Sequence, residues 1–220
     1  NRKRDLEKRD IIDKEKKEFI ELRYQVWITN QSDNTFLWIS SLYEYYNFIK
    51  NAYDKIWEIE IYKFNVREDR KNEEILSNIE KTIKSDCNNF LHFHNGITII
   101  AEHIEHLKWS ILKLENPQII NWCQSTSAIH NVFSKYFRLK DDIEKWIIGN
   151  ITKEKIIETY KVLDNLKKSS IQLKILPIQI NSSKSYTIEK ISEYTNTQIK
   201  VDRFQLRSND LIHYILIDYF

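Results

Sequence analysis

Gly96 and Gly149 are the only glycines in this chain of 220 residues. Glycine lets a backbone take positive φ or press close to a ligand, and phosphate-cradling loops carry several of them within a short span. A dinucleotide fingerprint, a P-loop and a kinase glycine loop are therefore excluded, and a nucleotide bound here must be held by other means. Gly96 also completes Asn95-Gly96, the strongest short hairpin signal in the sequence, because both residues tolerate positive φ. That pair predicts a turn between strands at 90–94 and 97–102.

Cys87 and Cys123 are too few for a disulfide framework or a four-cysteine zinc site, and no apolar run reaches membrane-spanning length. The expected setting is reducing and cytoplasmic, with no membrane partner. An apolar share of 41% is that of a globular chain, and 34 basic against 32 acidic residues leave a net charge of only +2, which argues against disorder. A near-neutral sum does not decide nucleic-acid binding, since a basic patch can coexist with an acidic face. The length allows one substantial core. With no methionine and a helix-like pattern running into Phe220, the chain reads as an excerpt of a longer protein, with a lead-in at 1–34 and one domain at 35–220.

Charged residues interleaved with Leu6, Ile11, Ile12, Phe19, Ile20 and Leu22 predict an amphipathic helix over 1–23. Period-two apolar residues predict a strand pair at 25–30 and 35–40. Ser41 is placed to cap a helix carrying Leu42, Tyr45, Tyr46, Ile49 and Tyr53, after which 54–62 reads as extended. Ile75, Leu76, Ile79 and Ile83 recur at helical spacing over 73–84. Strands follow at 109–114 and 118–120, then helices after Gln124, around 143–148 and around 156–166. A strand at 171–180, interrupted by Pro177 at an edge or end, precedes helices at 186–195 and 208–219. This order predicts a mixed α+β fold, a mixed sheet with helices packed on it and a helical N-terminal lead-in.

Set against these apolar elements are boxes of amides and arginine: Asn65 with Arg67, Asn95-Gly96, Asn121 with Gln124 and Ser125, and Asn196 with Gln198 ahead of Arg207. Amides beside buried runs need hydrogen-bond partners, so they either knit loops together or line a polar pocket, and residue chemistry leaves both readings open. Asn121 carries the most information, because it ends the apolar pair Ile119-Ile120 just before a helix. Strand ends that feed a helix N-terminus are where mixed sheets hold anions. The blander alternative is that Asn121 or Ser125 caps that helix. Arg67 and Arg207 are forked donors suited to phosphate, carboxylate or a surface glutamate. His92 with His94 and His103 with His106 lack a completing ligand, so no metal is assigned. Cys123 has His130 as its nearest base in sequence and is expected to be a small buried thiol. Trp122, directly after Asn121, is a candidate to stack on a planar ligand.

Taken together and in order, these segments resemble the abortive-infection phage-resistance (AIPR) family of bacterial proteins. That family shows an Asn-Val-Arg box, a Phe-x-x-x-Asn-Asn-Gly-Ile-Thr segment and Asn-Pro-Gln-Ile-Val-Asn-Gly-x-Gln-Thr, then Asn-Thr-Gln followed by Leu-x-Ser-Asn-Asp. Here they stand at 65–67, 90–98, 116–125, 195–198 and 206–210, with His94, Trp122 and Ser125 replacing an Asn, a Gly and a Thr of the pattern. If that glycine serves a close approach of backbone to ligand, Trp122 obstructs it. The resemblance implies bacterial antiphage defence. A looser likeness of the Asn121 box to DNA-modification-linked proteins with a ParB/sulfiredoxin-like core implies a nucleotide- or DNA-linked pocket there.

The expectation is thus one polar pocket drawing on Asn65, Arg67, Asn95, Gly96, Asn121, Gln124, Ser125, Asn196, Gln198 and Arg207, for a nucleotide or nucleic acid. Nuclease or nucleotide-hydrolase chemistry is left open, and no cofactor is assigned. A metal-dependent nuclease would need clustered carboxylates, for which Glu68, Asp69 and Asp86 are the candidates. The rival is a non-enzymatic interaction module docking a partner defence or restriction-modification protein through exposed Tyr43, Tyr45 and Tyr46.

Overall fold

Alternating apolar residues build the strands and three- to four-residue spacings build the helices, as binary patterning requires. The computed structural model describes residues 19–30, 35–56, 61–62, 73–145, 151–178 and 185–196. Its strands are β1 (Phe19–Arg23), β2 (Val26–Asn30), β3 (Thr35–Ser41), β4 (Ile97–Ala101), β5 (His103–Leu107), β6 (Ile111–Glu115), β7 (Gln118–Ile119) and β8 (Ser170–Pro177). Its helices are α1 (Leu42–Ile56), α2 (Glu73–Ser85), α3 (Phe90–Phe93), α4 (Cys123–Glu144), α5 (Lys153–Lys168) and α6 (Ser185–Asn196). A five-stranded sheet runs β2-β3-β8-β4-β7 and a three-stranded one β1-β6-β5, a mixed α+β fold as expected. The β4–β8 pair is parallel and the other pairs are antiparallel. No helix among the described residues is long and apolar enough to cross a membrane.

Strand parity decides what lies on each face of the larger sheet. Trp38 pairs with Leu173 and Ile97 pairs with Leu173, and all three are buried in the main core with Leu42 and Ile49 of α1, Ile79 and Ile83 of α2, Phe133 of α4 and Leu166 of α5. Ile20, Leu22, Leu112 and Leu114 bring the smaller sheet into the same core. One residue further along, Leu37, Lys174 and Thr98 form a row across β3, β8 and β4 that points to the opposite face. There a small second core of Ile100, Ile120 and Ile188 seats α6. Each such side chain removed from water contributes roughly 1.5–3 kcal/mol, and Ile188 with Ile191, packed beside Leu176 and Ile178, holds α6 next to the row.

Polar contacts fix the helical layer. Ser41 caps α1 as expected, its Oγ accepting the Glu44 N–H at 3.2 Å. Tyr136 of α4 directs its hydroxyl at Glu80 of α2 (2.8 Å) and Glu158 of α5 (3.2 Å), while Lys84 bridges the same two carboxylates at 2.9 and 2.8 Å. Burial opposes ionisation of Glu80, but hydrogen bonds from Lys84 and Tyr136 prevail and lower its pKa. Glu158 is held down to about 2, first by the Lys155 hydrogen bond and then by Lys84.

Several expectations change. Residues 19–23 form a strand rather than the end of a helix, because Ile20 and Leu22 pair with Leu114 and Leu112; residues 1–18 lie outside the described set. Helix α1 extends through Ile56 and Ile61 is helical, where 54–62 reads as extended in sequence. The first of the two later helices, at 143–148, begins inside the 22-residue α4, and 146–150 are not described. Strand β8 ends at Pro177 but is central in its sheet. The main correction concerns 90–96. Phe90–Phe93 is a helical turn that follows directly on a 3-10 turn at Cys87–Asn89, so His92 and His94 do not share a strand face. Asn95-Gly96 therefore leads from a helix into β4 and is no hairpin. The tight hairpin joins β5, a strand unexpected from sequence, to β6, and turns through Trp109 and Ser110 at φ 65° and 56°.

Candidate functional site

Gly96 does not have positive φ. A Cβ placed on it would lie 2.9 Å from the backbone oxygen of Gln172 and 3.1 Å from the Gln172 Cβ, so glycine is required here for the close approach of β4 to β8. That approach brings Asn95 and Gly96 to the edge of the row formed by Leu37, Lys174 and Thr98.

Asn121 reaches the same place from the end of β7. Its Oδ1 accepts the Thr98 N–H at 2.5 Å, while the Ile120 N–H donates to the Thr98 carbonyl at 3.0 Å. The side chain thus continues the β4–β7 ladder by one step where the main chain turns away. It does not cap α4, whose N-cap is Trp122 with no side-chain cap bond. Asn121 is only 6% exposed, and its amide nitrogen has no hydrogen-bond partner among the described residues.

These residues line a cleft of about 280 Å³, closed on the α6 side by Tyr194 and Thr195. Lys174, exposed on the floor, has no ion-pair partner among the described residues, and Tyr194 keeps 73% of its surface exposed. Amide donors and acceptors, a cation and an aromatic face therefore converge on one cleft. Lys174 and Tyr194 were not singled out by sequence; the only signal for Lys174 was its alternation with buried Leu173 and Ile175, which places it on the outward face.

Trp122 stands at φ 57° and ψ 31°, in the left-handed region. This conformation gives a physical reason for a glycine at that point of the family pattern, since a bulky side chain there costs roughly 1–2 kcal/mol. Trp122 lines the cleft and also a second cavity of about 480 Å³ between α2, α3 and the start of α4. Ser125 lines the second cavity, not the cleft, and half-buried Gln124 lines neither. Asn196 ends α6 next to Thr195, but its side chain is outside the described set, as are Asn65, Arg67, Gln198 and Arg207 entirely.

Other candidates are placed as follows. Cys123 is buried, and His130 packs its ring on Tyr46 and Tyr53 with its Nε2 3.4 Å from the Ser134 Oγ. No group of three or more His, Cys, Asp or Glu among the described residues is arranged to hold a metal ion; Asp86 is described, whereas Glu68 and Asp69 are not. Tyr45 and Tyr46 are 0% and 5% exposed, which corrects their expected role as surface aromatics: they are core residues packed against α4.

The fold is that of a mixed α+β domain in which a strand-to-helix junction, a parallel strand pair and α6 border one open cleft. A family model described as AIPR protein matches residues 62–220, and the chain belongs to that family. This membership supports a role in bacterial antiphage defence of the abortive-infection kind. No curated protein and no solved structure matches the chain.

Proposed function

We propose that the cleft binds a nucleotide or the end of a nucleic-acid strand as the recognition step of antiphage defence. The observation that carries this reading is the convergence of Asn95 and Asn121 with Lys174 and Tyr194 on one cleft. Amides can read the edge of a base, an exposed tyrosine ring can stack on its face, and a lysine can offset phosphate charge. None of these contacts needs a glycine-rich loop. Ligand pockets run from roughly 300 to 1,000 Å³, so a cleft of about 280 Å³ suits a base with its sugar rather than a large cofactor. The described residues lining it include no carboxylate, histidine or cysteine, and the reading accordingly stops at binding.

The test is titration of the full-length protein with nucleotides and short single strands, followed by melting temperature. Loss of a stacked aromatic weakens base binding by roughly 1–3 kcal/mol, so Tyr194→Ala should lower affinity about 5- to 150-fold. Lys174→Ala should weaken phosphorylated ligands and flatten their salt dependence. Both substitutions fall on exposed side chains and leave the core intact. Unchanged affinity in both variants refutes the assignment, and unchanged phage protection shows that the cleft is not used in defence. The docking rival loses Tyr45 and Tyr46 as contact residues, since both are buried.

A further inference from the structure

Resting on that reading of the cleft, we propose that the second cavity is a phosphoryl subsite, so that the ligand is a phosphorylated nucleotide with its base in the cleft and its phosphate at Ser125.

Ser125 is the third residue of α4 and only 7% exposed, and neither its hydroxyl nor its backbone N–H has a hydrogen-bond partner among the described residues. The hydroxyl belongs to a side chain that is otherwise buried and borders the cavity without a partner among the described residues, so it can meet a ligand there, and the N–H is one of the donors that the first turn of a helix leaves without an intrahelical partner. The 22-residue α4 directs the positive end of its dipole here, and Trp122 at its N-cap supplies no side-chain oxygen. Lys81 of α2 lines the same cavity and has no ion-pair partner among the described residues. An N–H, an O–H, a helix N-terminus and an ammonium group form a donor set for an oxyanion.

Two neighbouring groups bear on the charge of the site. His94 lines the cavity half-buried, but its Nε2 already lies 3.2 Å from the Thr82 Oγ1. Asp86 is the one carboxylate among the described lining residues and opposes an anion; its Oδ1 accepts a bond from Asn89 at 3.2 Å. Trp122 lines both the cavity and the cleft; Asn95 and Asn121 line the cleft, while His94, beside Asn95, and Ser125, four residues after Asn121, line the cavity. A ligand passing Trp122 places its two ends in chemically different surroundings.

The test compares nucleosides with their 5′-monophosphates, and adds inorganic phosphate alone, by calorimetric titration of the full-length protein. Monophosphates should bind about tenfold or more tightly than nucleosides. Ser125→Ala and Lys81→Ala should each remove most of that advantage without changing nucleoside affinity, Ser125→Thr should keep it, and Asp86→Asn should increase it. Because the Ser125 side chain makes no hydrogen bond among the described residues, the alanine variant is expected to fold normally. A monophosphate advantage that survives both alanine variants but is lost in Lys174→Ala overturns the subsite while leaving the cleft reading intact, and equal affinity for nucleoside and monophosphate overturns both the subsite and the phosphate contact of Lys174. If nucleosides fail to bind, the cleft reading falls; inorganic phosphate bound by the native protein and lost in Ser125→Ala would then still uphold the subsite, and no phosphate binding would overturn it.

Discussion

Replacing Gly96 with alanine tests the close packing that builds the cleft. The added Cβ would meet the Gln172 backbone oxygen at 2.9 Å, its Cβ at 3.1 Å and its Cγ at 3.3 Å. The oxygen belongs to β8, whose next residue, Leu173, pairs with Ile97, so it cannot swing aside without parting two strands. Overpacking of this kind costs roughly 1–3 kcal/mol, against which alanine recovers about 0.4–1 kcal/mol by restricting the unfolded chain. The expected net loss is about 1–2 kcal/mol, or a fall in melting temperature of roughly 2–8 °C for a chain of this size. Urea titration should show a lower midpoint at unchanged slope. Gly96→Asn separates this cause from a need for positive φ. Asparagine tolerates the left-handed region, so a hairpin role would spare it, whereas the steric role makes it at least as harmful as alanine. Truncating Gln172 to alanine in the Gly96→Ala background should restore little, because only the 3.3 Å contact is removed. A Gly96→Ala protein as stable as the native one would refute the reasoning.

Asn121→Ala leaves the buried Thr98 N–H without its acceptor and should destabilise by about 1–3 kcal/mol, with faster hydrogen exchange at that amide as the local signature. Trp122→Gly should be more stable than Trp122→Ala by about 1–2 kcal/mol, since both lose the indole but only glycine accepts φ 57° without strain; equal melting temperatures would contradict this. The pKa of Glu158 is lowered from 4.5 to about 2, so its contribution is fully present above pH 4.5 and is lost as pH falls through 2. With its side chain 34% exposed, solvent screening limits that contribution to about 1 kcal/mol. Glu158→Gln should cost about this much at pH 7 and nothing below pH 2, measured by urea unfolding at both pH values.

Local chemistry made part of this protein legible from its residues alone. The period-two run around Trp38, the Ser41 cap, the helical stripe through Ile79 and Ile83, and the alternation of Leu173 and Ile175 up to Pro177 are short-range patterns, and each formed the expected element. So did the placement of Asn121 between a strand end and a helix start, and the ordered boxes that identified the family. Segment 90–96 departs from its hairpin expectation because Asn-Gly serves a turn and a close approach equally well, and only the nearness of Gln172, far along the chain, distinguishes them. Ile20 and Leu22 fit a helix or a strand until Leu112 and Leu114 are beside them. The union of Asn95 and Asn121 with Lys174 and Tyr194, and the separation of Ser125 across Trp122, depend on the parallel pairing of β4 with β8 and on the seat of α6. Periodicity records which way a side chain faces relative to its own strand or helix; only packing between distant segments decides what it faces.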